Sequence, residues 1–327
     1  MRRRDFIKAI AGSVAAWASL ARAQPTAMPV IGYLGSTSAA QSTDRLRAFR
    51  DGLKDVGLIE GTNEVIEFRW ADSHFDRLPA MAAELARERV AVIVVTSTPA
   101  TFAAKAATDT VPIVFGIAGD PVELGLVTSL NRPNGNLTGT TLWNTELVPK
   151  RLELLHELVP ATSNIGLLVN PTNPTVAQTD TRAAQEATDK LGLNLQVLNA
   201  SSDDEIDTAI ATLSRRAGSA LLIGSDIIFF DSRTHIVAAA ARSLIPAIYD
   251  RREYVAAGGL ISYGASLFDL HRQVGVYAGR ILKGEKVTSL PVLLPAKFEF
   301  VINLKTANSL GLSIPQTLSA AADEMIE

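Results

Sequence analysis

"IVFGIAGDPVELGL", residues 113–126, is the stretch on which the fold turns. It runs from a β-branched apolar segment through Gly116 and Gly119 into a lone carboxylate, Asp120, then Pro121 and a helix-like pattern. A buried strand that ends on a polar group and hands over to a helix belongs to a parallel sheet covered on both faces. Asp120 and Pro121 fit a helix N-cap with proline at the first helical position, and capping alone accounts for the pair. In the sharper reading the two glycines let the backbone approach a guest closely. Asp120 then faces a cleft in which an ammonium or hydroxyl group sits.

The same alternation repeats along the chain. Apolar runs at Val30 to Leu34, Val65 to Trp70, Val90 to Thr96, Val111 to Ile117, Ile165 to Val169, Leu195 to Leu198, Ala220 to Ile223 and Leu260 to Tyr263 read as strands. Between them, 41–57, 75–89, 100–108, 175–191, 203–217 and 230–243 carry apolar residues at spacings of three and four, the period of an amphipathic helix. The set divides near "NLTGTTLWN" (136–144) into two groups, each with about the four or five strands of a doubly wound sheet. The expectation is an α/β protein of two parallel-sheet lobes. The first lobe spans 29–140 plus 258–290 and the second 141–257 plus 291–327. The glycine-rich "AAGGLISYGAS" (256–266) crosses back to the first lobe, and the alternating "PVLLPAKFEFVINLK" (291–305) crosses the hinge again.

Residues 1–23 stand apart. Arg2, Arg3 and Arg4 precede an uncharged stretch from Ala9 to Leu20 and then Ala21-Arg22-Ala23, the layout of an export signal. "RRRDFIK" also fits the twin-arginine pattern, with an ordinary secretion signal as the alternative. Taking five basic residues (Arg2, Arg3, Arg4, Lys8, Arg22) and one acidic residue (Asp5) from the 31 and 34 of the whole chain leaves 26 and 33, a net charge of −7. Such a chain is a poor partner for nucleic acid or an anionic membrane. It has no cysteine, hence no disulfide framework, thiolate nucleophile or lipid-modified Cys. A periplasmic location follows from the signal.

Ligands of open parallel sheets bind outside the carboxyl ends of the strands, so the strand tips supply the candidates. After the first strand come Ser36 and Ser38, which serve either as caps or as ligand contacts. After the third comes "TSTPAT" (96–101), where Thr96, Ser97 and Thr98 flank a helix N-terminus able to attract a carboxylate. Asp120 follows the fourth. In the other lobe, Asn173 sits in a proline-stiffened turn with Asn170, and Asp226 is framed by apolar neighbours. Trp143, Tyr249 and Tyr263 lie near the crossings, where an aromatic can close over a ligand or simply pack in the core.

Chemistry is harder to find. The histidines at 74, 156, 235 and 271 are scattered without metal-site spacing and read as surface or interface residues. "LISYG" (260–264) misses the nucleophile-elbow pattern because Leu260 stands where glycine is needed, leaving Ser262 weakly supported. Neither a phosphate loop nor a three-glycine dinucleotide fingerprint is present, so no cofactor is expected. The strand tips offer polar groups without a base, nucleophile or metal, which describes a binding site.

"GDPVELGLV" and "GRILKGE…LPV…FEFVINLKTANSLGL", with "PVIGYLGS", "KRLELLHELVPATSNIGLLVNPTNP" and "AAGGLISYG", resemble the ABC-transporter substrate-binding protein family related to the tryptophan-binding TrpX proteins. The similarity covers nearly the whole mature chain. It implies the type 1 periplasmic-binding fold: two lobes joined by three crossings, closing on a small organic solute such as an amino acid or aromatic compound. The implied partners are a membrane permease and ATPase, and the implied state is a monomer. By the same resemblance, Ser36 and Thr96 to Thr98 hold a ligand carboxylate, while Asp120 or Asp226 holds an amino group. The chain departs from the tryptophan-type members after "GNLTG", where "TTLWNTE" lacks their early acidic residue. A periplasmic sensing module for a membrane receptor is the alternative, and an enzyme on the same frame a remote third.

Overall fold

The computed structural model describes residues 28–133 and 135–327. The export signal expected over residues 1–23 lies outside them.

Five strands build the first sheet: β1 (Val30–Gly35), β2 (Val65–Trp70), β3 (Val92–Val95), β4 (Ile113–Ile117) and β5 (Leu137–Thr141), in the order β2-β1-β3-β4-β5. All neighbours are parallel. β3 and β4 are buried along their whole length, as central strands with helices on both faces must be. The sequence reading passes over β5 because "LTGTT" has no long apolar run. Its threonines can nevertheless be buried, since Thr138 Oγ1 donates to the Leu290 carbonyl at 2.8 Å and Thr141 Oγ1 to that of Gly119 at 2.7 Å.

The second sheet contains β6 (Asn164–Val169), β7 (Asn194–Asn199), β8 (Ser219–Ile223), β9 (Ala247–Tyr249), β10 (Ile261–Ala265), β11 (Phe298–Asn303) and β12 (Glu324–Ile326). Their order is β12-β11-β10-β9-β8-β6-β7, parallel except between β10 and β11. This corrects the expected lobe boundaries. β10 pairs with β9 and β11, so residues 258–265 belong to the second sheet. The chain enters the first lobe only with the Leu267–Leu282 helix. It stays there through Leu293, which bridges Thr140 beside β5, and returns over 294–297.

The Leu267–Leu282 helix seats on the Thr43–Asp55 helix through facing glycines. A Cβ on Gly52 would lie 1.9 Å from the Arg272 carbonyl oxygen, and one on Gly275 would lie 2.1 Å from that of Phe49. Only glycine at both positions allows this approach. One buried apolar cluster runs from Phe49 and Val94 through Leu142 and Leu270 to Phe229 and Tyr249. The two lobes are therefore closed on each other, with strand tips facing.

Candidate functional site between the lobes

On the first lobe, β3 ends at Val95, Thr96 follows at its tip, and the next helix spans Thr98–Ala107. Ser97 takes an extended conformation, and its hydroxyl caps the helix by accepting from the Ala100 N–H at 3.3 Å. Pro99 occupies the first turn, where its missing N–H costs nothing. The Ser36 hydroxyl, at the tip of β1, hydrogen-bonds that of Ser97 at 2.5 Å, and Tyr33 OH meets Thr96 Oγ1 at 3.3 Å. Adjacent strand tips are thus tied to one helix start, whose first N–H groups have no partner within the helix.

On the second lobe, Asn173 Nδ2 donates to Asp226 Oδ2 at 2.8 Å, and Asp226 Oδ1 accepts from the Ile228 N–H at 2.9 Å. Burial pushes the Asp226 carboxyl upward, against the Asn173 hydrogen bond and the charge of Arg251. The Ser225 N–H donates to Asp180 Oδ2 at 2.7 Å, and its hydroxyl has no partner.

Arg251 follows β9 and is 3% exposed. Its Nε and Nη2 both reach Asp250 Oδ2 at 3.0 Å, an oxygen that also accepts from Asn144 Nδ2 at 2.7 Å. Arg251 Nη1 has no partner. Asn144 lies in the first crossing, and its carbonyl accepts from the buried Arg151 Nη2, so this cluster pins the hinge to the second lobe.

His271, on the Leu267–Leu282 helix, is 1% exposed rather than a surface residue. Burial, reinforced by the charges of Arg45 and Arg251, pushes its imidazole down to about 3. The ring is therefore neutral. Its Nδ1 lies 2.9 Å from the Leu267 carbonyl, which can only accept, so Nδ1 carries the proton and Nε2 presents a lone pair with no partner.

Thr96, Ser97, Thr98, Asn173, Ser225, Arg251 and His271 line one cavity between the lobes, of about 40 Å³, with Leu142, Ile227 and Leu270 as apolar wall. The lobes are also bridged outside it. Arg45 Nη1 and Nη2 meet the two oxygens of Asp231 at 2.7 and 3.3 Å, with side chains 5% and 2% exposed. Thr37 and Ser42 support the same guanidinium at 3.0 and 3.1 Å. On another side of the cleft Arg182 pairs with Glu123.

The structure brings Thr96, Ser97, Thr98 and Asn173 to the cavity, with Ser36 one hydrogen bond behind and Asp226 behind Asn173. The other candidates are elsewhere. Ser38 bonds Gln41 in its own turn. Asp120 caps a run of turns through Val122 N–H at 2.7 Å, not a helix. Its charge adds to burial in raising the Glu146 carboxyl. Trp143 sits in the crossing with a left-handed φ of 58° and does not line the cavity. Tyr249 stacks on Tyr254 at 4.7 Å inside the second lobe, and Tyr263 packs against Phe298 and Phe300. In each case aromatic packing wins over exposure to the cleft. Ser262 is fully buried in β10, which leaves no route for a nucleophile.

The profile of the ABC transporter substrate binding protein family matches residues 39–326. The chain belongs to that family. This substrate-binding protein, which is not an enzyme, is 28% identical over 274 residues to a tyrosine-binding protein of Clostridioides difficile (strain R20291), covering 84% of this chain and 77% of that one. Among solved structures it resembles a conserved domain protein from Vibrio cholerae, with a TM-score of 0.82, 26% identity, and 91% and 99% of the two chains covered. An ABC domain in complex with L-Trp from Streptococcus pneumonia gives 0.80, 25%, 90% and 100%. The architecture is the type 1 periplasmic-binding fold. Among the described residues of the substrate-binding protein, no helix is long and apolar enough to cross a membrane.

Sequence reading missed Arg251, Ser225, His271 and the Arg45–Asp231 pair. Arg251 was within reach, because "YDRRE" (249–253) follows a strand as "TSTPAT" does, but a three-residue strand gives too little pattern to fix its tip. Nothing local marks His271 or Arg45, whose roles depend on helices meeting across the cleft.

Proposed function

We propose that this protein is the exported, periplasmic solute-binding component of an ABC uptake system, monomeric, carrying a small organic carboxylate to a permease and its ATPase. The observation that carries this reading is the pairing across one cavity of a helix N-terminus with Ser97 and Thr98 and an arginine, Arg251, that has a donor to spare. A carboxylate bridging them satisfies both lobes at once, so binding selects the closed form. The names of relatives that bind tyrosine and L-Trp support a carboxylate-bearing solute. Because a cavity of about 40 Å³ holds only a few waters, any larger guest enters while the lobes are parted and repacks Leu142 and Leu270 on closure. The twin-arginine pattern supports export.

Thermal-shift screening of the mature chain against organic acids and amino acids tests the proposal. Stabilisation by at least one carboxylate, abolished when the carboxyl is converted to an amide, is expected. Stabilisation only by uncharged solutes such as sugars would contradict it.

A further inference from the structure

The cavity's hydrogen-bonding inventory discriminates among carboxylates, an inference that rests on the binding reading above. For positive charge it offers Arg251 Nη1, from a side chain 3% exposed, with the Thr98–Ala107 helix N-terminus opposite. For negative charge it offers nothing, since none of the lining residues is Asp or Glu. The nearby carboxylates are engaged elsewhere: Asp226 with Asn173 and the Ile228 N–H, Asp250 with Asn144 and Arg251, Asp231 with Arg45, and Asp180 with the Ser225 N–H and Thr145. Asp120 is turned into its own loop.

A neutral ring acceptor remains unclaimed. His271 lines this cavity from a side chain 1% exposed; burial keeps its ring neutral, and with Nδ1–H held by the Leu267 carbonyl its Nε2 is left without a partner. The Ser225 hydroxyl, also without a partner, can donate or accept. A 2-ammonium group entering here would lose its water, find no anion, and feel the positive charge of Arg45 and Arg251. A 2-hydroxyl group would donate to Nε2 with no charge to compensate.

We infer that the site selects 2-hydroxycarboxylates over the isosteric zwitterionic 2-amino acids, with Arg251 and the Thr98 helix start on the carboxylate and His271 Nε2 on the hydroxyl.

The test is calorimetric titration of the mature chain with matched sets differing only at the 2-position: lactate, alanine and propionate; 2-hydroxyisocaproate, leucine and 4-methylpentanoate; 3-phenyllactate, phenylalanine and 3-phenylpropionate. In whichever set fits, the hydroxy acid should bind at least about tenfold more tightly than the amino acid and more tightly than the unsubstituted acid. His271→Ala should bring the hydroxy acid down to the level of the unsubstituted acid while leaving the latter's affinity within about threefold. Should the variant not fold, the comparison of the three ligands on the unaltered chain decides alone. An amino acid binding as tightly as its hydroxy analogue, or more so, overturns the inference and leaves the carboxylate-binding reading intact. No binding by any member at millimolar concentration overturns both.

Discussion

Arg45 on the first lobe and Asp231 on the second form a two-point ion pair, at 2.7 and 3.3 Å, that is almost wholly screened from water. The residues are 186 positions apart and meet only because the lobes are shut. The Phe230 ring lies under Arg45 at 5.6 Å and under Arg251 at 4.9 Å, so the latch and the cavity share one aromatic. A buried pair broken on one side leaves a charge in poor surroundings. Here the lobes can part and let water reach it. Asp231→Asn should therefore favour the open form instead of unfolding the chain. The expected result is a larger radius of gyration in solution scattering and ligand affinity weaker by roughly tenfold, about 1.4 kcal/mol. An unchanged radius and affinity would remove the pair from the closing equilibrium.

Arg251→Gln removes the donor assigned to the ligand and also leaves Asp250 with Asn144 alone. A hydrogen bond to a charged group contributes about 1.5–3 kcal/mol, so affinity for the bound acid should fall roughly ten- to hundredfold, with some loss of melting temperature. Calorimetry on the folded variant checks it.

Ser97 and Asp120 both cap the segment after a strand, yet only Ser97 lines the cavity. Replacing Ser97 with alanine should cost about 0.5–2 kcal/mol of stability through the lost helix cap, and Asp120→Ala should cost less because it caps only turns. Ligand affinity should drop for Ser97→Ala and stay unchanged for Asp120→Ala. Chemical denaturation alongside titration separates the two effects.

Protonation of His271 gives a pH dependence whose sign is fixed. Its folded value, about 3, lies below the ordinary 6.5, so the unfolded chain binds the proton more readily. The neutral ring's contribution is fully present above about pH 6.5 and is lost as pH falls from there toward 3. The buried carboxyls of Asp180 and Asp226, raised by burial, act in the opposite sense. The informative quantity is thus the difference from His271→Gln, which cannot charge. Between pH 7 and 4 the unaltered chain should lose more stability than the variant, by an amount on the order of 2–4 kcal/mol. Parallel melting curves across that range would contradict the buried neutral assignment.

Strand-helix alternation was readable where an apolar run met a proline or a hydroxyl cap, as at β3 and β6, but after β4 the expected helix is only a run of turns. The alternation faded at β5, β9 and β12, where the strand is short or its burial rests on threonine hydroxyls satisfied by distant carbonyls. Strand-tip logic located Thr96 to Thr98 and Asn173 at the cavity, since their position follows from the local turn from strand to helix. It over-reached with Tyr249 and Tyr263, because an aromatic near a crossing carries no local sign of which way its ring packs. Arg45, Asp231 and His271 were illegible for a related reason: their partners lie on the other lobe or on a helix that crosses back, and pairing of that kind leaves no period or spacing in the chain.

The most direct check on the two-lobe grip is a crystal structure of the mature chain with the carboxylate that stabilises it most. One carboxylate oxygen should lie within hydrogen-bonding distance of Arg251 Nη1, with the other at the Ser97–Thr98 helix start. A ligand bound away from Arg251, or held by one lobe only, would contradict the account.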